Sequence, residues 1–200
     1  MNAAYLTLAL LLAQPEASCR IEVKNDAGRP LSEGTGTVIA RQDDLALVLT
    51  CAHTFYEPSF RDRLPAGSIE CYFARQRTLK GATLLACDPN LDVAALLIRA
   101  DATTACAPLA EDEPEQATPV AYYGYPLGSW TQKAVSTYYR HGWLNSPAQS
   151  GDSGSGILAN GRLIAMVQGT TPTHAVCCRC RPLRDWLRRH VQQRVQWCFT

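Results

Sequence analysis

Two hundred residues suffice for one domain, or for two small lobes sharing one interface. Hydrophobic residues make up 46% of the chain and charged residues 18%, below the usual share of roughly a quarter, which excludes a disordered chain. A formal net charge of +1 leaves no basic field, so nucleic acid is not an expected partner.

The chain opens on an apolar, uncharged run from Ala3 to Ala13. That length suits the apolar centre of an export signal, about 7–15 residues, and is too short to span a bilayer. The expectation is a signal segment over residues 1–18, with Ala13 or Ala17 at the cut, and no stable membrane span. Nine cysteines point the same way, to an oxidising compartment, periplasmic or secreted, and to disulfide bonding. Nine is odd, so at least one thiol stays free or pairs with another molecule, and the connectivity stays open. Cys177-Cys178-Arg179-Cys180, with His174 nearby, lacks the paired CxxC spacing of a zinc site. No metal and no cofactor are expected.

Short apolar runs separated by turn residues follow. Cys19-Arg20-Ile21-Glu22-Val23 alternates like a strand, and Asn25 to Pro30 is a turn. Gly34 to Ala40 is β-rich, with glycines that allow close backbone approach. Leu45 to Thr50 and Val93 to Ile98 are continuously apolar and predict buried strands. Ile69 to Phe73 and Ala82 to Ala86 predict a hairpin. Glu111-Asp112-Glu113-Pro114-Glu115-Gln116 predicts a solvated linker. Strands resume at Val120, Ala134, Gly156 and Leu163. At the end the period changes: Leu183, Trp186, Leu187, Val191, Val195 and Cys198 share one helical face, and Pro182 suits a first turn. The pattern is an all-β sandwich or barrel with a C-terminal helix. Its expected division is a first lobe over about 19–106, a linker over 107–117, a second lobe over 118–181 and the helix over 182–197.

Three residues carry candidate chemistry. Ser153 lies in the glycine-rich turn Ser150-Gly151-Asp152-Ser153-Gly154-Ser155-Gly156. A serine hydroxyl is a weak nucleophile at neutral pH and needs a base, which in turn needs a group to fix its tautomer. His53 directly follows a buried strand and suits the base. Asp92 opens an apolar strand, where a carboxylate is costly without a partner such as an imidazole. Asp88 is the rival, but Asp88-Pro89-Asn90 is turn chemistry. The backbone N–H groups of Gly151 and Ser153 are the expected donors to an oxyanion.

With these pieces in order, the chain resembles the trypsin-like serine peptidases of the chymotrypsin fold. The matching segments are Gly34 to Ile39, Leu49-Thr50-Cys51-Ala52-His53, Leu91 to Leu97, Val120 to Gly128 and Gly151 to Gly156. The segment Gly124-Tyr125-Pro126-Leu127-Gly128 is most similar to short bacterial HtrA-like peptidases. The resemblance implies two six-stranded β-barrels with the site in the cleft between them. It implies His53 as general base, Asp92 as its orienter and Ser153 as nucleophile, acting on a peptide or protein substrate. Against that resemblance, no PDZ domain is expected after the peptidase domain, and Asp152 stands where Asn is usual. In digestive-type relatives that Asp pairs with a newly cut N-terminus, for which Arg20-Ile21 is the nearest match. The resemblance also implies a specificity pocket with Pro147 and Ala148 at its floor and Val167, Gly169 and Thr170 along its edge strand. None is charged, so a small or apolar side chain before the cut is expected. Two rival functions remain: a catalytically silent, protease-like binding module, and an esterase using the same triad.

Overall fold

The computed structural model describes residues 15–74, 76–112, 120–129, 131–135, 138–139 and 142–195. The first lobe is a closed barrel of six antiparallel strands: β1 (Ser18–Lys24), β2 (Pro30–Gln42), β3 (Leu45–Thr50), β4 (Ser68–Phe73), β5 (Thr78–Asp88) and β6 (Val93–Arg99). They run around the barrel in the order β1-β2-β3-β6-β5-β4. The continuously apolar strands β3 and β6 pair with each other, and each has a second neighbour, β2 or β5. Their central residues, Ala46 to Leu49 and Val93 to Leu96, are fully buried. The expected hairpin is present as β4 and β5, with Glu70 opposite Gly81 and Phe73 opposite Thr78.

The second lobe contains β7 (Val120–Gly124), β8 (Thr131–Val135), β9 (Tyr138–Tyr139), β10 (Trp143–Leu144), β11 (Gly156–Ala159), β12 (Arg162–Thr170) and β13 (Ala175–Arg179). They form one sheet in the order β8-β7-β11-β12-β13-β10-β9. Two six-stranded β-barrels of the trypsin-like type were expected, and the arrangement matches that fold. The first is closed, whereas the second is a half-barrel of seven strands among the described residues. β9 and β10 are two residues each, and among the described residues β8 and β9 are the two ends of this sheet.

The helix begins earlier than expected. It is α1 (Cys180–His190), followed after Val191 by the single turn α2 (Gln192–Val195). Leu183, Trp186, Leu187 and Val191 are buried, as the helical spacing requires. α1 lies on β12 and β13, and its apolar face is also continuous with the first-barrel core. Met166, Leu163 and Cys178 of the second lobe belong to that same core. Tyr122, Leu144, Ile157, Ile164 and Val167 form a separate core inside the second sheet. The connection between the lobes is packed where it is described. Ala107 N–H donates to Val38 O, and Leu109 bridges to Leu163. Most of the acidic stretch lies outside the described residues, as does most of the proposed signal segment. Ala17 is fully buried and Ser18 already belongs to β1.

No disulfide joins any of the eight described cysteines, and most are buried. Cys177 and Cys178 alternate along β13, so one enters the second-lobe core and the other the core between the lobes. Burial pushes Cys87 from 9.0 up to about 11, Cys178 up to about 12, and Cys51 and Cys19 well above the ordinary range. Below about pH 9 these thiols are protonated in both folded and unfolded chains, and their contribution to stability is fully present. As pH rises, the unfolded chain ionises first and that contribution is lost. The reduced protein should therefore show a urea midpoint that falls steadily between about pH 9 and pH 11. An unchanged midpoint across that interval would refute the burial-driven shifts.

Candidate active site

His53 lies in a 3-10 turn (Ala52–Phe55) immediately after β3. Asp92 sits one residue before β6, not inside it, with a left-handed φ of 51°. Asp tolerates that conformation better than bulky residues do. Because β3 and β6 are neighbours, the end of one strand meets the start of the other. The backbone N–H of His53 donates to Asp92 Oδ1 at 2.9 Å, and His53 Nδ1 lies 2.9 Å from Oδ2. Both carboxylate oxygens thus engage one residue, which fixes the plane of the imidazole. The ring remains about a third exposed on its other side, where Phe60 meets it edge-on at 6.4 Å. Asp88, the rival carboxylate, caps its own turn by accepting from the N–H groups of Asn90 and Leu91.

Ser153 is half-buried, and its turn is anchored to the first barrel. Thr35 N–H donates to Ser153 O at 2.8 Å, and the Thr35 hydroxyl donates to Gly151 O at 2.6 Å. Gly156 N–H donates to the Thr37 hydroxyl at 2.8 Å. Within the turn, Asp152 N–H donates to Gln149 O and Gly154 N–H to Val167 O. Among the described residues, the alternate N–H groups of Gly151 and Ser153 have no hydrogen-bond partner. Gly151 and Gly154 both have positive φ, 92° and 88°. A methyl group at 154 would run into the Thr35 carbonyl and lie 2.6 Å from the Thr50 hydroxyl oxygen. Such a turn needs glycine twice over, for conformation and for space.

Asp152 is fully buried. Its Oδ2 accepts from Gln149 N–H at 2.9 Å, and Gly124 leaves room for the carboxylate beside Tyr122. Burial, with Asp152 as a second cause, pushes the Tyr122 hydroxyl up, so it stays protonated. Arg20-Ile21 lies in the middle of β1, paired to both β2 and β4, so a cut there would sever the barrel. Asp152 is instead held within its own turn.

The residues nominated for the specificity pocket divide. Pro147 is exposed, and Ala148 N–H donates to the exposed Thr170 hydroxyl at 3.1 Å. Gly169 faces open space. Val167 does not face the cleft: its side chain is buried in the second-lobe core and both its backbone groups are engaged. Gln168 lies on the same expected edge strand, but its role was not foreseen. It is the extra residue of a β-bulge in β12, between Val167 opposite Cys177 and Gly169 opposite Val176. Bulges re-aim side chains. This one sends the Gln168 amide across to the other lobe, where it donates to Leu91 O at 2.6 Å and Asp92 O at 3.1 Å. Nothing in the residue type signals this role, because the bulge arises from pairing with β13.

The model of the trypsin-like peptidase domain matches residues 34–166. The chain belongs to that family. It is accordingly a serine-type endopeptidase, and its substrates are proteins or peptides. The backbone is similar to that of a serine endoprotease from Yersinia pestis, with a TM-score of 0.70 and 20% identity, over 94% of this chain and 67% of that one. At that identity the likeness speaks for the fold. No curated protein matches the sequence. No helix among the described residues is long and apolar enough to cross a membrane.

Two substitutions probe how this peptidase is assembled. Gly154→Ala should destabilise the fold by about 1–3 kcal/mol through overpacking and should abolish turnover. Gln168→Leu keeps similar bulk but orphans two carbonyls, at a cost of about 1–3 kcal/mol. It should lower kcat more than it raises KM, since Asp92 loses its support from the second lobe. Wild-type kcat in Gln168→Leu would rule out that positioning role.

Proposed function

We propose that this peptidase cleaves peptide bonds through an acyl-enzyme on Ser153, with His53 as general base and Asp92 as its orienter. The observations that support the proposal are the double contact between His53 and Asp92 and the two unused N–H groups in the Ser153 turn. With Asp92 accepting from Nδ1–H, the imidazole keeps the Nε2 lone pair, the tautomer a base requires. His53 Nε2 takes the Ser153 proton as Oγ attacks the scissile carbonyl. The N–H groups of Gly151 and Ser153 receive the developing oxyanion, each worth about 2.7–4 kcal/mol in such sites. His53 then gives the proton to the leaving amine, and water repeats the sequence to release the acid.

The absence of charge at Pro147, Ala148, Gly169 and Thr170, together with the open space beside Gly169, supports a small or apolar side chain before the cut. Export is supported by the apolar run before the barrel. A cut after Ala13 would leave the buried Ala17 in place, whereas a cut after Ala17 would remove it and start the chain at the first residue of β1.

A fluorophosphonate probe should label the wild type and not Ser153→Ala, and the variant should lose on the order of 10⁶-fold in kcat. Folded protein that takes up no Ser153-dependent label would mean a silent binding module. Turnover of esters without turnover of peptides would mean an esterase. Digestion of a mixed peptide library should show cuts after small or apolar residues, and a preference for basic or acidic residues would overturn the pocket assignment.

A further inference from the structure

A third side chain stands beside the His53–Asp92 pair. Cys51 ends the segment that delivers His53, two residues earlier, and its side chain is fully buried beneath the site. Its Sγ lies 3.1 Å from Val167 O. The ligating atoms of Cys51, His53 and Asp92 all lie within 4.8 Å of one another. Burial, with the Asp92 charge as second cause, pushes this thiol well up, so in the resting protein it is a neutral S–H.

We propose that Cys51, His53 and Asp92 form an inhibitory site for a thiophilic divalent cation, with zinc the best fit. The proposal rests on the assignment of His53 as the base. A thiolate, an imidazole nitrogen and a carboxylate oxygen are a zinc donor set and a poor one for magnesium or calcium, which prefer oxygen alone. Zinc bonds of about 2.0–2.3 Å place tetrahedral donors about 3.3–3.8 Å apart. The 2.9 Å separation of Nδ1 and Oδ2 must open slightly and the thiol must close in, shifts of about 1 Å or less. A water molecule, or the Val167 carbonyl beside Sγ, can complete four-coordination.

The chemistry balances without another reactant. Zinc displaces one proton, from the Cys51 thiol, and that proton leaves to solvent. Nδ1 becomes a ligand through its lone pair, so the ring proton moves to Nε2. The tautomer is then the wrong one: Nε2 carries a hydrogen and cannot accept from Ser153. Inhibition therefore comes from fixing the imidazole tautomer, with no need to block the cleft. Proton release also makes binding tighten as pH rises through neutrality.

Two readouts test this on the full, reduced chain. The first is cadmium titration followed by thiolate-to-metal charge-transfer absorbance, with zinc as competitor. Ser153→Ala should titrate like the wild type, while Cys51→Ala and His53→Ala should each lose one equivalent. Cys51→Ser serves as a second variant with nearly unchanged bulk. Titrations of all three variants that match the wild type would overturn the site. The second readout is zinc inhibition of peptide cleavage, each protein compared with its own metal-free rate. Outer-shell changes already weaken zinc sites by about 10–100-fold, so loss of the thiolate should raise the inhibitory zinc concentration by more than about 100-fold. Equal sensitivity of wild type and Cys51→Ser would also refute the proposal. Absence of any peptide cleavage would refute the base assignment instead, while the cadmium titration would still decide whether the three donors bind metal.

Discussion

Every polar group of Thr35 is used, and each reaches a different part of the chain. Its N–H holds Ser153 O, its hydroxyl donates to Gly151 O and accepts from Tyr125 N–H, and its carbonyl accepts from the Thr50 hydroxyl. Thr35 itself is fully buried. Water cannot replace these bonds, so losing any one leaves an orphan costing about 1–3 kcal/mol. One residue on β2 therefore ties the Ser153 turn to the end of β3, the strand that leads into His53. That contact adds to the shared core and to the Ala107 and Leu109 contacts that join the two lobes.

Asp92 is the electrostatic counterpart of this mechanical link. A half-buried carboxylate is costly, and here the cost is offset by two hydrogen bonds from a single residue. Its carbonyl is capped from the opposite lobe by Gln168. Its charge also helps to keep Cys51, Cys87 and Cys178 protonated, after burial as the larger cause. The carboxylate is thus bordered by neutral sulfur and by the one ring that shares its charge. In such surroundings a small change at Cys51 is felt at His53, because the two side chains share Asp92 as a neighbour.

The family likeness and the side-chain chemistry speak to different levels of the molecule. Strand order and lobe packing are fold properties, tolerant of extensive replacement so long as apolar volume is conserved. The bulge at Gln168 and the thiol at Cys51 are side-chain and register details of this chain. Fold likeness carries no information about what such details do.

Much of the architecture was legible in the linear order of residues because it rests on local patterns. Unbroken apolarity marked β3 and β6, helical spacing marked Leu183, Trp186 and Leu187, and Asp88 announced its turn through the following Pro89 and Asn90. His53, Asp92 and Ser153 could be nominated because each stands in a distinctive neighbourhood. Other features depend on pairing between distant segments, which no local pattern encodes. Val167 turned inward because β12 needed a core residue there. Gln168 crossed the cleft because β13 forced one extra residue out of register. Cys51 stands two residues from His53 in the chain, yet its nearness to Asp92 exists only because β3 and β6 lie side by side in a closed barrel.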